Sequence, residues 1–355
     1  MKKKMKIFVI TATALVAVGA VGAIAVGTNG FKDVFAWDNF AHTAASLTID
    51  NTDLSKKAVT PNLDFGAPDA ALKTVAVTGL GKEFDEDYIR IPETVAIGGV
   101  VYTVTGIAEN AYLGGGHVLG VYIPGTVTSI GMNAFQDDDY VRAGDDYVSG
   151  QTLKKIQFSS DSKIAQVDGT AADGTTKYGF FEKLYELRGV VAPTGLTSVG
   201  YHAFFGDESL QSFAFGAKVA AVGESAFGGC ASLKEIGLSD AVASIGASSF
   251  ASSGLAKFVG GTGLAAIGAQ AFKDCHALKQ AILRGGTLAS VGDGAFDNAW
   301  YSTIYTNNPT AALFTEAANP EKCPVYVLGQ WSYSNGSVGV TDGAKPANSS
   351  ASSAA

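Results

Sequence analysis

The sequence has little charge. Asp, Glu, Lys and Arg make up only 16% of its 355 residues, against 47% hydrophobic residues and 44 glycines. So few charges and so many glycines disfavour a helical bundle and suit an all-β or solenoid chain with many tight turns. Histidine is scarcer still, with four residues at 42, 117, 202 and 276, all at turn or inter-repeat positions. The chain has no Gly-x-Ser-x-Gly, no His-Glu-x-x-His and no phosphate-binding loop, which leaves the common hydrolase, zinc-protease and nucleotide chemistries without their residues. Basic charge is short too. The formal net charge is −8, and an acidic surface argues against nucleic acid or anionic lipid as a partner. Three cysteines, Cys230, Cys275 and Cys323, are an odd number, so at least one has no partner within the chain.

The N-terminus is unlike the rest. Lys2, Lys3, Lys4 and Lys6 precede an apolar run from Ile7 to Val26, and Val34-Phe35-Ala36 places small residues where a signal peptidase cuts. Residues 1–36 read as a signal peptide, with an uncleaved anchor as the alternative because the run is about long enough to span a bilayer. Cleavage would take the net charge from −8 to −12. Either outcome predicts an extracellular protein, touching membrane only through that segment.

A short pattern then recurs: Ile130-Gly-Met-Asn-Ala-Phe135, Val199-Gly-Tyr-His-Ala-Phe204, Val222-Gly-Glu-Ser-Ala-Phe227, Ile245-Gly-Ala-Ser-Ser-Phe250, Ile267-Gly-Ala-Gln-Ala-Phe272 and Val291-Gly-Asp-Gly-Ala-Phe296. The aromatic anchors, Tyr112 first and Phe181 included, fall 23, 46, 23, 23, 23, 22 and 24 residues apart. A period near 23 belongs to stacked coils, none of which encloses a core alone. After each anchor apolar residues alternate, as in Leu233, Ile236 and Leu238, which is a short strand with one buried face. The 46-residue gap reads as one coil carrying two projecting loops, 136–150 and 169–177. The glycine of each Ile-Gly or Val-Gly step reads as a tight turn.

The block Val-x-x-Ile-Gly-x-x-Ala-Phe-x-x-Cys-x-x-Leu-x-x-Ile-x-Leu, seen in residues 219–238, closely resembles the BspA-like leucine-rich repeats of bacterial cell-surface proteins. The resemblance covers about 72–330. It implies a right-handed, β-rich leucine-rich-repeat solenoid of about 23 residues per coil, with short strands lining one face. The segments at 73–77, 89–95 and 101–107 look like the capping strands that open such arrays, with Gly98-Gly99 as a hairpin turn. Residues 37–71 carry no repeat register and read as a linker. The solenoid with its caps spans 72–331, and Gly, Ser and Ala make 332–355 a disordered tail.

Three chemical readings fall within the repeat frame. Cys230 and Cys275 share one repeat slot two coils apart, about 10 Å at ~4.8 Å per strand, too far for a disulfide, which needs Cα atoms within about 7 Å. They are read as buried apolar side chains. His276 beside Cys275 does not make a thiol catalyst. The Gly-x-Gly-x-x-Ala string at 261–266 lacks the surrounding βαβ unit a dinucleotide site requires. The acidic run Asp137, Asp138, Asp139, Asp145 and Asp146 matches no calcium loop. No cofactor and no metal is expected.

Residues between the buried strand positions point outward in rows. One row reads Tyr122, Gln157, Val191, Ala214, Gly237, Val259, Ile282, and its neighbour Gly120, Lys155, Gly189, Ser212, Glu235, Lys257, Gln280. The first row has no charge, and exposed apolar rows mark interaction surfaces. Partner-binding candidates are therefore Tyr122, Gln157, Val191, Val259, Ile282, Lys155, Glu235, Lys257 and Gln280, with Tyr140, Tyr147 and Tyr178 on the projecting loops. By resemblance, the expected function is non-enzymatic adhesion or recognition of an extracellular protein or surface polymer. A self-associating structural stalk is the alternative.

Overall fold

The computed structural model describes residues 52–348 apart from 116, 137–151, 172–173, 287, 310, 335 and 342–343. Short parallel strands stack in two ladders. In one, Tyr88–Arg90, Gly120–Ile123, Lys155–Phe158 and Gly189–Val191 pair in that order. The ladder resumes with Glu235–Gly237, Lys257–Gly260, Gln280–Leu283, Thr303–Thr306 and Val325–Tyr326. The second ladder joins Ser198–Val199, Ala221–Val222, Ser244–Ile245, Ala266–Ile267 and Ser290–Val291. Each two-residue strand holds the Ile or Val of the repeat, and all but Val291 are buried.

Between the ladders runs a column of phenylalanines. Phe135, Phe181, Phe204, Phe227, Phe250, Phe272 and Phe296 are fully buried. Their successive ring centroids lie 5.7, 5.3, 5.1, 5.4, 5.7 and 5.2 Å apart. Each ring is thus clamped by the coil before and the coil after, so the core exists only in the stack. In the first coil the anchor is Leu113, fully buried. Tyr112, expected to fill that place, sits at φ 49° and turns its hydroxyl to Asn110 Oδ1 at 3.3 Å.

The glycine of each Ile-Gly step does something other than supply a positive φ. A Cβ on Gly246 would lie 2.6 Å from the Gly223 carbonyl carbon, and one on Gly268 would lie 2.4 Å from that of Gly246. The coils touch backbone to backbone along a glycine column, and that contact admits no side chain. The left-handed turns lie instead two residues before the anchor, at Asn133, His202, Ser225, Ser248, Gln270 and Gly294.

The 46-residue gap is one coil. Lys155–Phe158 pairs directly with the strands before and after it, and the Phe135 and Phe181 rings are neighbours. Part of its excess, expected as a projecting loop, is an antiparallel hairpin of Asp168–Thr170 and Lys177–Gly179. Tyr178 points inward from it, donating its hydroxyl to the Ile130 carbonyl at 2.8 Å. A Cβ on Gly169 would collide with its ring, so the missing side chain makes room for the tyrosine. Tyr178 is therefore no recognition residue. Tyr140, Tyr147 and the acidic run lie outside the described residues.

At the N-terminal end Thr74–Leu80, Thr94–Ile97 and Val100–Ile107 form the capping sheet. Gly98 and Gly99 turn the hairpin at φ 59° and 81°, the geometry that favours Gly-Gly in two-residue turns. The segment expected as a linker is partly built in: Leu63–Phe65 pairs antiparallel with Thr74–Leu80, and Leu54, on a short 3-10 turn Leu54–Lys56, is fully buried. The tail departs from expectation too, because Trp331–Ser334 and Ser337–Val340 pair as a hairpin.

Candidate functional site: the strand face

The first ladder sets the outward rows in register. Arg90, Tyr122, Gln157 and Val191 are successive partners, as are Gly237, Val259, Ile282 and Tyr305. Beside them run Gly120, Lys155 and Gly189, then Glu235, Lys257, Gln280 and Thr303. The rows fall where the repeat frame puts them. Their exposure does not.

Val259 and Ile282 are fully buried, in a second small core with Tyr305, Tyr326, Trp331, Tyr333 and Val338. The C-terminal hairpin folds back over the strands and takes the apolar row as its own packing surface. Trp331 packs tilted against Tyr305, ring centroids 5.6 Å apart, and donates its indole N–H to the Thr306 carbonyl at 3.0 Å. Lys257 reaches the hairpin's turn, where its Nζ donates to the Gly336 carbonyl at 2.7 Å. Val259 and Ile282 are thus not free to meet a partner.

The N-terminal end of the face is covered in the same way. The Gln157 amide accepts from Leu54 N and donates to Asp53 Oδ1, both at 2.9 Å. Lys155, only 4% exposed, donates its Nζ to the Thr52 carbonyl. The Lys57 ammonium lies 4.0 Å from the centroid of the Tyr88 ring, and Arg90 lies over Tyr122 at 5.6 Å. The segment bonds to the face through the backbone of Thr52 and Leu54 and through the side chains of Asp53 and Lys57.

Between the two covers lies an open stretch. Val191 and Glu235 are half-buried, Ser212 is half-buried and Ala214 is exposed. The coil that carries Ser212 and Ala214 has no strand of its own there, though Gln211 N still donates to the Arg188 carbonyl at 3.2 Å. Of the sequence candidates, Val191 and Glu235 therefore stand in the gap. Gln280 is half-buried beside the hairpin-bound Lys257. Residues 331–340 are what the sequence reading missed. Their signal was present, because Trp331, Tyr333, Val338 and Val340 alternate with small residues around Asn335-Gly336, a strong hairpin pattern.

The buried polar column behind the anchors is structural. The thiols of Cys230, Cys275 and Cys323 donate to the carbonyls of Phe204, Phe250 and Ala299 at 3.2, 3.1 and 3.4 Å, each to the coil before. All three are free and buried. Burial pushes Cys275 and Cys323 up to about 11 and Cys230 well above the usual thiol range, so none is a ready thiolate. His276 turns away from Cys275 to stack on Trp300 at 5.0 Å. Asp207 fills the same slot one coil before Cys230. It accepts from Leu184 N at 2.8 Å, and its other oxygen has no partner. Burial first, and the Glu182 charge after it, hold its carboxyl well above the usual range.

Among curated proteins none matches the chain significantly. Several solved structures resemble it. A leucine-rich repeat protein of T. pallidum is 19% identical, covering 69% of this chain and 91% of that one, with a TM-score of 0.37. One from Bacteroides ovatus is 18% identical over 70% and 84%, with a TM-score of 0.37. A leucine rich cell surface protein of Faecalibacterium prausnitzii is 18% identical over 78% and 96%, with a TM-score of 0.26. The family described as BspA type Leucine rich repeat region matches in six copies over residues 105–223 and 174–303. With that match over more than half its length, its glycine and phenylalanine columns in register, the chain belongs to the BspA-type leucine-rich repeat family.

Proposed function

We propose that this protein is a non-enzymatic interaction module on the outer surface of the cell, a right-handed solenoid of about 23 residues per coil. In this reading it takes an extracellular partner on the open middle of the strand face. The observation that carries the reading is the face itself. Its two ends bind segments of the same chain, one through Lys155 and Gln157 and the other through Lys257 and an apolar row. A surface that holds segments of chain twice in cis leaves a third stretch open between them, at Val191, Ala214, Ser212 and Glu235. The basic and apolar leader at residues 1–36 supports the location.

The test is capture of purified extracellular-matrix proteins by the chain from residue 37 onward, with its mass in solution measured alongside. A saturable partner that is lost on Val191→Asp or Ala214→Arg supports the reading, and binding indifferent to both overturns it. The second reading, self-association, has its own observation: Val100 and Val101 are exposed apolar residues on the capping sheet, and Leu72 is exposed in the turn that precedes its strand Thr74–Leu80. A concentration-dependent mass abolished by Val101→Lys would favour it.

A further inference from the structure

Beside the strand face, on the last regular coils, two large aromatic rings stand in solvent. Trp300 is 55% exposed and Tyr301 74%, and no other aromatic residue is comparably exposed among the described residues. An indole and a phenol left in solvent at adjacent positions set this coil apart in a protein that buries nine phenylalanines completely.

The indole is held in place. His276, one coil earlier, stacks on it at 5.0 Å with 20° between the planes. The imidazole is itself fixed by contact of Nδ1 with the Asn298 carbonyl at 3.2 Å. The asparagine is tied in turn. Its Nδ2 donates to Asp274 Oδ1 at 2.6 Å, and its backbone N–H donates to Glu321 Oε1 at 3.3 Å. A further ion pair joins Lys273 and Asp297 at 3.6 Å. The result is an exposed indole, with the Tyr301 phenol next to it in the chain, on a polar border whose groups are locked coil to coil.

We infer that Trp300 and Tyr301 form a platform for a neutral glycan, with a pyranose ring stacked on the indole. A pyranose has an apolar face of C–H groups and an edge of hydroxyls. The C–H hydrogens, slightly positive, pack on the negative face of an aromatic ring, while the hydroxyls meet a polar border. A protein partner's anchor would instead need a desolvated pocket closed by a surrounding apolar ring, and here the surroundings are carboxylates, an amide and an imidazole. The sign of the charge narrows the class. Asp274, Asp297 and Glu321 outnumber Lys273, in a chain of net charge −8, so uronic, sialic and sulfated sugars are repelled and neutral or N-acetylated hexoses are favoured. The platform is separate from the open stretch of the strand face and does not depend on what binds there.

The experiment titrates the chain from residue 37 onward with chitohexaose and with cellohexaose, reading tryptophan emission and heat of binding. One of the two sugars is expected to shift the emission and bind saturably. Trp300→Ala should weaken that binding by about tenfold or more and Tyr301→Ala by less, which is the usual weight of an aromatic anchor. Both variants should keep the parent's unfolding midpoint, because neither ring is in the core. Failure of both sugars to bind, or binding that Trp300→Ala leaves unchanged, overturns the inference.

Discussion

Lys257 and Gly336, 79 residues apart in the chain, meet at 2.7 Å, the ammonium donating to the glycine carbonyl at the turn of the C-terminal hairpin. The same ammonium lies 5.7 Å from the centroid of the Tyr333 ring. Through this contact the hairpin reaches back across three strands of the ladder to Lys257–Gly260. It turns an apolar row that looks like a binding surface into a packed interior. The binding question thereby moves to the uncovered coils around Val191 and Ala214.

Phe227→Ala removes a ring held between Phe204 at 5.1 Å and Phe250 at 5.4 Å. The variant should lose about 3–5 kcal/mol, as large-to-small changes at fully buried aromatics do. Urea denaturation of the variant beside the parent checks this, and a loss below about 1 kcal/mol would mean the column is not the core.

Gly246→Ala should be as harmful as many larger changes. Its methyl would meet the Gly223 carbonyl carbon and the Glu224 nitrogen, both at 2.6 Å. Backbone has nowhere to go in a stack, so the cost is about 2 kcal/mol or more. Gly216→Ala, with nothing within 4 Å of the new methyl, should stay within about 0.5 kcal/mol of the parent. Thermal unfolding of the two variants separates close approach from turn geometry, since neither glycine has a positive φ.

Asp207→Asn should stabilise the protein at neutral pH. The carboxyl is held well above its ordinary value by burial, so folding favours its protonated form. Its contribution to stability is complete below the unfolded pKa, near 3.8, and is lost as pH rises through the folded pKa. The asparagine keeps the acceptor for Leu184 N and cannot ionise. Denaturation measured from pH 4 to pH 8 should show the parent losing ground to the variant as pH rises. Parallel curves would contradict the assignment.

The native thiols should be silent. With Cys275 and Cys323 raised to about 11 and Cys230 raised as well, a thiol-specific disulfide reagent should label none of them at pH 8 in the folded protein. All three should react after unfolding in guanidinium. Rapid labelling of any one in the native state would mean that its coil opens readily.

The solenoid was legible because its cause is local and periodic. Every coil must supply an interior ring, a glycine where backbones touch and alternating apolar residues for a strand, so Phe227, Gly246 and Ile236 recur at fixed offsets. The function of the glycine was read wrongly for a physical reason: a tight turn and a close approach both ask for the same residue, and only the stack distinguishes them. Tyr112 misled in a similar way, since an aromatic at the expected spacing gave the anchor place to Leu113. The covers of the strand face were less legible. Leu54 bonds to Gln157 across 103 residues through its backbone, and a backbone contact leaves no mark on the sequence. The hairpin did leave one, in the alternation about Asn335-Gly336. The small residues between its aromatics gave the segment the composition of a disordered tail, and composition outweighed pattern.

The central claim, that the middle of the strand face is open while its C-terminal part is closed by the chain itself, is tested most directly by labelling a cysteine placed on each. In a background whose native thiols do not react, Ala214→Cys and Val259→Cys should be treated with the same reagent under native conditions. The account predicts that the thiol at 214 labels at close to the rate of a free peptide thiol, and that the thiol at 259 labels at least about a hundredfold more slowly, because opening the hairpin core must come first. Equal rates at the two positions would contradict it.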